Sequence, residues 1–397
     1  MAQRIEIFDT TLRDGTQGEG VNLSAEDKIR VAKRLDAFGI DFIEGGWPGS
    51  NPKDVEFFEL IRTVPLKHAK VTAFGSTRHA KFSAEEDPNL QKMVEAETEV
   101  VTIFGKTWDL HVTAALKVGL DVNLDMIRDS VAFLKSNGRM VIYDAEHYYD
   151  GCKSDLEYAL ATIKAANEAG ADRIVLCDTN GGSLPNEIAE YTLKAKAVCS
   201  VPLGIHCHND GGIAVGNTLV AVQSGATHVQ GTINGYGERC GNADLCVVIP
   251  NLVLKLGLEA AHREELPNVS DLSRYVAELA NLPHRDDQPF VGMSAFAHKG
   301  GIHVSAVQRE SRTYEHVDPR LVGNQQRVLV SELSGQSNII HHAQQLGIDL
   351  GKSAAGAKIV QTIKEKENEG YFFEAADGSL ELLIRRALGQ HREFFDP

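Results

Sequence analysis

From its start to about residue 260 the chain alternates two textures. Short apolar runs rich in β-branched residues are each followed by a longer amphipathic stretch. The runs fall at 5–8, 41–44, 70–74, 100–104, 140–144, 173–178, 203–208 and 228–232. The stretches between them, such as 24–38, 154–169 and 187–198, carry apolar residues at helical spacing. Ser24 stands where an N-cap belongs, and Asp27 sits three places on, where a capping box has its acidic partner. Several stretches close on a glycine (Gly39, Gly138, Gly170, Gly225), the residue that most easily takes the left-handed turn ending a helix. About eight β/α units in roughly 250 residues predict a (β/α)8 TIM barrel. The competing architecture is a doubly wound open sheet. Against it, the first run leads into Asp9-Thr10-Thr11-Leu12-Arg13-Asp14-Gly15, which is no glycine-rich dinucleotide turn.

The texture changes near residue 283. Residues 282–302 are punctuated by proline and glycine, and helical patterns return at 328–345, 357–368 and 379–388. The expected organisation is a catalytic barrel over 1–282, then a linker and a smaller, mostly helical accessory region over 283–397.

Composition removes some functions. The formal net charge of −15 argues against broad nucleic-acid contact, which needs surplus Lys and Arg. An anionic ligand would then require a locally basic pocket or a metal. The six cysteines form no Cys-x-x-Cys pair, and several lie inside apolar patterns, so reduced, buried thiols are expected. No leader-like or membrane-spanning apolar run occurs, so a cytoplasmic location and no membrane partner are expected.

Barrel active sites lie where strands end. The polar residues due there are Arg13 and Asp14, Glu44, then Asp144, Glu146 and His147, then Asp178 and Thr179, then His206 and His208, and finally Glu238, Arg239 and Asn242. In Ile205-His206-Cys207-His208-Asn209-Asp210 the two imidazoles are two apart on a strand and share a face, with Cys207 turned to the helical layer. They suit one divalent cation (Mn²⁺, Mg²⁺, Zn²⁺ or Co²⁺), with Asp14 giving a carboxylate oxygen and Asn242 an amide oxygen. The plainer alternative is two histidines hydrogen-bonded in a polar barrel mouth. Arg13 has two readings as well: partner of a barrel carboxylate, or donor to an oxyanion. Glu146 is a solvated loop residue or a general base. Gly235-Tyr236-Gly237 is a turn or a place of close backbone approach to a ligand.

At these residues the chain resembles the isopropylmalate, homocitrate and citramalate synthases. The resemblance spans essentially the whole chain. It rests on Asp9-Thr10-Thr11-Leu12-Arg13-Asp14-Gly15-Thr16-Gln17, His206-Cys207-His208-Asn209-Asp210 and Gly237-Glu238-Arg239-Cys240-Gly241-Asn242. Cys240 stands where the family usually has alanine. The resemblance implies a metal on Asp14, His206 and His208, with Asn242 in or near its shell. Arg13 would steady the keto oxygen as it becomes an alkoxide. Glu146 would be the base or its support, and Gln17, Glu44, Thr179 and Asn209 would bind substrate. In the accessory region, Ala297-His298-Lys299-Gly300-Gly301-Ile302-His303 and Thr313-Tyr314-Glu315 resemble segments whose His and Tyr reach the partner's site. That implies a homodimer with His303 and Tyr314 as catalytic residues. The segments Gly45-Gly46-Trp47-Pro48-Gly49-Ser50-Asn51-Pro52-Lys53 and Ser294-Ala295-Phe296-Ala297-His298-Lys299-Gly300-Gly301 look most like the citramalate branch. The implied reaction joins acetyl-CoA to pyruvate, in a threonine-independent route to isoleucine. A sibling synthase using another short 2-keto acid, a related acyl-CoA lyase, and a non-catalytic metabolite-binding protein are the alternatives. The Gly-Glu-Arg-Cys-Gly-Asn form of the last loop favours a synthase over a lyase. Family members usually continue into a C-terminal regulatory domain, which is expected to be absent here, and with it inhibition by Ile or Leu.

Overall fold

The computed structural model describes residues 3–348, 350, 354–374 and 376–390. They form two compact units, 1–284 and 285–397. In the first, eight parallel strands close on themselves: β1 (Arg4–Asp9), β2 (Phe42–Gly46), β3 (Lys70–Ser76), β4 (Val100–Lys106), β5 (Met140–Glu146), β6 (Arg173–Asp178), β7 (Leu203–Cys207) and β8 (His228–Gly231). Closure runs through β1, which pairs with β8 (Ile7 beside Val229) and with β2 (Phe8 beside Phe42). The expected barrel is therefore present, and each predicted run holds a strand.

Local chemistry sets the helix ends. The helix Ala25–Phe38 opens on a reciprocal box: Ser24 Oγ accepts the Asp27 N–H (3.1 Å), and Asp27 Oδ2 accepts the Ser24 N–H (3.3 Å). It closes at Gly39, whose φ of 91° would strain any side chain. The first helix after β6 begins at Pro185, where the missing N–H is no loss.

Alternate residues of each strand point inward, and the interior changes character along them. Phe8, Phe42, Val100, Ile142 and Val175 pack together as an apolar plug. One inward step further on come Glu44, Asp144, Cys177, His206 and Gln230, nearly all polar and all buried. The plug fills the barrel, and the polar tier sits at the strand ends, where loops can close over it.

Below the plug, Arg173 grips Glu6 with two parallel bonds of 2.8 Å, and His228 Nδ1 lies 3.4 Å from the same carboxylate. Burial opposes ionisation of Glu6, but Arg173 and His228 outweigh it and hold its carboxyl well below its ordinary 4.5. A depressed carboxyl contributes stability above its unfolded value, and that contribution is lost as pH falls. We expect the apo protein's Tm to drop more steeply between about pH 5 and pH 3 in wild type than in Glu6→Gln. Parallel Tm curves would show that the grip contributes nothing.

The second unit has its own core, in which Val330, Ile339, Ala343, Ile359, Ile363 and Ile384 are buried together. Its helices are Gly301–Arg309, Gln336–Gln345, Ala354–Asn368 and Asp377–Ala387. The helix expected over 328–345 starts only at Gln336. Arg327–Val328 instead pairs as a short parallel strand with Ala297–His298. Between them Ser331 and Ser334 bond to the local backbone, which turns the chain, and Asn338 Oδ1 accepts the Gly335 N–H to open the helix. Among the described residues no helix is long and apolar enough to cross a membrane.

Candidate metal and substrate site

Three buried side chains from two strand ends, Asp14 after β1 and His206 and His208 at the end of β7, converge at the polar tier. His206 Nε2 and His208 Nε2 are 3.3 Å apart, and Asp14 Oδ2 lies 3.8 Å from the first and 3.9 Å from the second. Donors about 2.1 Å from one cation lie roughly 3 to 4 Å from each other, so the three atoms fit a shared ion. Two further observations support the fit. Burial, then the neighbouring His208, pushes His206 down to about 3, and burial also lowers His208, so both rings are neutral and have lone pairs to give. On Asp14 burial acts upward, but the Arg13 guanidinium, with the Asn242 amide N–H, outweighs it and holds the carboxyl below the usual range.

His206 is oriented from behind. Its Nδ1 lies 2.9 Å from Gln230 Oε1, while Gln230 Nε2 donates to Asp144 Oδ1 at 3.0 Å. Asp144 thereby fixes which way the amide points. The amide oxygen then requires the proton on Nδ1, which leaves Nε2 facing Asp14 and His208. Burial, with Glu44 nearby, pushes the Asp144 carboxyl well up. Gln230 was not among the residues anticipated from sequence. Its one signal was a fully polar amide at an inward position of an apolar strand. We expect Gln230→Ala to weaken metal affinity about 10- to 100-fold, the usual scale for partners behind a ligand. Titration of the metal-free protein reads this without turnover, and Gln230→Glu, which can still accept from Nδ1, should recover much of the loss. Unchanged affinity in Gln230→Ala would remove its orienting role.

Arg13 takes the first of its two readings, partner of barrel carboxylates, while also lining the cavity. Its Nε donates to Glu44 Oε2 at 2.6 Å and its Nη1 to Asp14 Oδ2 at 3.0 Å, and its guanidinium carbon lies 3.8 Å from the centre of the Phe74 ring. Glu44 is fully buried and also accepts from Thr10 Oγ1. It therefore holds Arg13 in place, and it is not part of the cavity lining.

The cavity beside these groups holds about 200 Å³ and is bounded by Arg13, Gln17, Glu146 and Thr179 on its polar side. Trp47, Phe74 and Phe104 wall the other side. Phe74 and Phe104 stack 5.4 Å apart, and Trp47 stands edge-on to both. Trp47 is pinned by its indole N–H, which donates to Asn89 Oδ1 at 2.7 Å. Glu146 is ion-paired with Lys106, a second residue not anticipated. Thr179 Oγ1 accepts the His147 N–H at 2.8 Å.

Other expected residues are placed differently. Asn242 turns its amide nitrogen to Asp14 Oδ1 (3.0 Å) and to the Tyr236 carbonyl (3.1 Å), so it orients the carboxylate as a donor, with its buried Oδ1 making no hydrogen bond. Asn209 faces the backbone, where its Oδ1 accepts the Ala214 N–H at 3.1 Å, and it does not line the cavity. Asp178 serves its own loop through Ser183. Arg239 ties Asp210 to the Thr179 carbonyl. Gly237 makes room for a neighbour and not for a ligand: a Cβ there would lie 2.1 Å from Asn242 Nδ2. Cys207 is buried and Cys240 exposed. In the second unit, His303 and Tyr314 are both exposed, with ring centres 4.3 Å apart.

Comparison with known proteins adds to this geometry. The HMGL-like family profile matches residues 4–276, and the homocitrate synthase post-HMGL domain-like profile matches 290–370. The (R)-citramalate synthase of Geobacter sulfurreducens is 55% identical over 98% of this chain and 74% of its own length. A probable 2-isopropylmalate synthase of Methanopyrus kandleri is more distant, at 35% over 93% of this chain and 71% of its own. The structure of hydroxymethylglutaryl-CoA lyase from Pseudomonas aeruginosa superposes with a TM-score of 0.59 at 17% identity, covering 72% of this chain and 95% of that one, a likeness of fold.

Proposed function

Because the chain belongs to the HMGL-like family, within its citramalate synthase branch, we propose that it condenses acetyl-CoA with pyruvate to give (R)-citramalate and CoA. The observation that carries the reading is the buried Asp14–His206–His208 group, with Arg13 alongside, opening on a small cavity. A divalent cation held by those three residues would supply Lewis-acid polarisation of the keto group. Arg13 donates to the keto oxygen as charge develops there, already aimed by Glu44. Glu146, held in the wall by Lys106, takes a methyl proton from the acetyl group. The resulting carbon nucleophile bonds to the keto carbon, whose oxygen becomes the alkoxide and then the hydroxyl. Water then cleaves the thioester and frees CoA as a thiol.

The choice of pyruvate rests on the likeness to (R)-citramalate synthases. Phe74, Phe104 and Trp47 close the cavity's apolar side, and each added methylene there shifts binding by about 1–3 kcal/mol. His303 and Tyr314 of a second copy complete the site in this reading, which makes the working form a homodimer. The test is thiol release from acetyl-CoA with a divalent metal and each short 2-keto acid in turn. Pyruvate should give the highest kcat/KM. Silence with every keto acid would end the synthase reading, and preference for a branched acid would move the chain to a sibling activity.

A further inference from the structure

Trp47 walls the cavity from an irregular end of β2. Glu44 stands beside Thr72 and Gly46 beside Ala73, which leaves Gly45 as the extra residue of a bulge. A bulge bends its strand and re-aims the side chains that follow. Glu44, before it, holds Arg13, and Trp47, just beyond it, meets Phe74 and Phe104. The bulge has its own anchor. Asp54, in the first turn of the helix Pro52–Ile61, accepts the Trp47 N–H on Oδ2 at 2.9 Å. Asn51, the cap of that helix, donates to the same oxygen at 3.0 Å. The other oxygen takes the ammonium of Lys28, which reaches in from the helix Ala25–Phe38 and also donates to the Gly45 carbonyl at 3.1 Å. Lys28 is 2% exposed and Asp54 6%. Gly46 packs so closely on this pair that a Cβ there would lie 2.4 Å from the Asp54 carboxyl carbon.

An ion pair buried this deeply is a poor source of stability, because both ions give up their hydration and apolar side chains of similar volume often do as well. What the pair supplies is direction. It holds the main chain on both sides of Gly46, at the Gly45 carbonyl and at the Trp47 N–H, so the indole leaves the strand at one angle. Asn89 then pins the far end of the ring. Asp54 itself does not line the cavity. We propose that Asp54 is a positioning residue that fixes Trp47 against the cavity and so limits the size of the 2-keto acid side chain admitted, with Lys28 as the counter-charge that lets its carboxylate be buried there; the assignment rests on the synthase reading above.

The experiment compares two double variants with their parent, all carrying Trp108→Phe so that Trp47 is the single indole. Lys28→Met/Asp54→Ala has no acceptor for the Trp47 N–H, while Lys28→Met/Asp54→Asn keeps one. Neither strands a buried ion, so both should fold. Pyruvate and 2-ketoisovalerate are titrated into the Mn²⁺-loaded proteins, and acrylamide quenching of Trp47 is read without metal or substrate. In the alanine variant the preference in Kd for the smaller acid should shrink about tenfold, the low end of what a methyl group decides in an apolar pocket. Its Trp47 should also quench more readily. The asparagine variant should stay within about threefold of the parent in that preference. Equal weakening of both acids, unchanged quenching in the alanine variant, or an asparagine variant no better than the alanine one overturns the assignment. So does a parent protein that binds both acids alike or neither. A shifted preference in binding, with no thiol released from acetyl-CoA by the parent, upholds the positioning role and refutes the synthase reading instead.

Discussion

His208→Ala removes metal-dependent turnover: kcat/KM for pyruvate falls by more than the 10- to 100-fold typical of groups behind a ligand. His208 is the cleaner of the two histidines to remove. Its Nδ1 makes no hydrogen bond, so truncation strands no partner. His206, by contrast, is the end of the chain through Gln230 to Asp144, and its loss would orphan a buried amide. The expected companion result is loss of bound metal after desalting, with Tm of the metal-free protein little changed. A drop of only about twofold in turnover, with metal retained, would exclude His208 as a ligand.

Arg13→Met couples a catalytic effect to a structural one. Removing a donor to a developing oxyanion lowers kcat by about 10²- to 10³-fold. The same change leaves Glu44, fully buried, without its cation, and breaking a buried pair from one side destabilises by about 3–5 kcal/mol. The two effects separate in Arg13→Met/Glu44→Gln. The glutamine can still accept from Thr10 and carries no charge, so most of the stability should return while the rate does not. Thermal unfolding and kcat on the two variants decide the matter. Recovery of kcat in the double variant would mean that Arg13 acts only as a counter-charge for Glu44.

Much of this architecture was legible in the residue pattern. The strand runs, the Ser24–Asp27 box and the glycine after Phe38 are local features, set within a few residues by sterics and hydrogen bonding. The pair His206 and His208 was legible because period-two geometry puts both on one face of a strand. The start of the helix at Gln336 was not, because the preceding segment reads as helical in isolation and is drawn into a strand by Ala297–His298, some thirty residues earlier.

What the sequence determined by itself was the barrel, its polar strand ends, and the trio Asp14, His206 and His208 as the centre of any chemistry. Only the tertiary structure decided what each neighbour does. Asn242 orients Asp14 across 228 positions, Gln230 links His206 to Asp144 across 86, and Glu44 steers Arg13 across 31. It likewise set two cavities on either side of Phe104. The reason is that closure of the barrel brings distant strands into fixed register. A polar side chain's partner is then chosen by who stands opposite in space, a relation that no local period along the chain encodes.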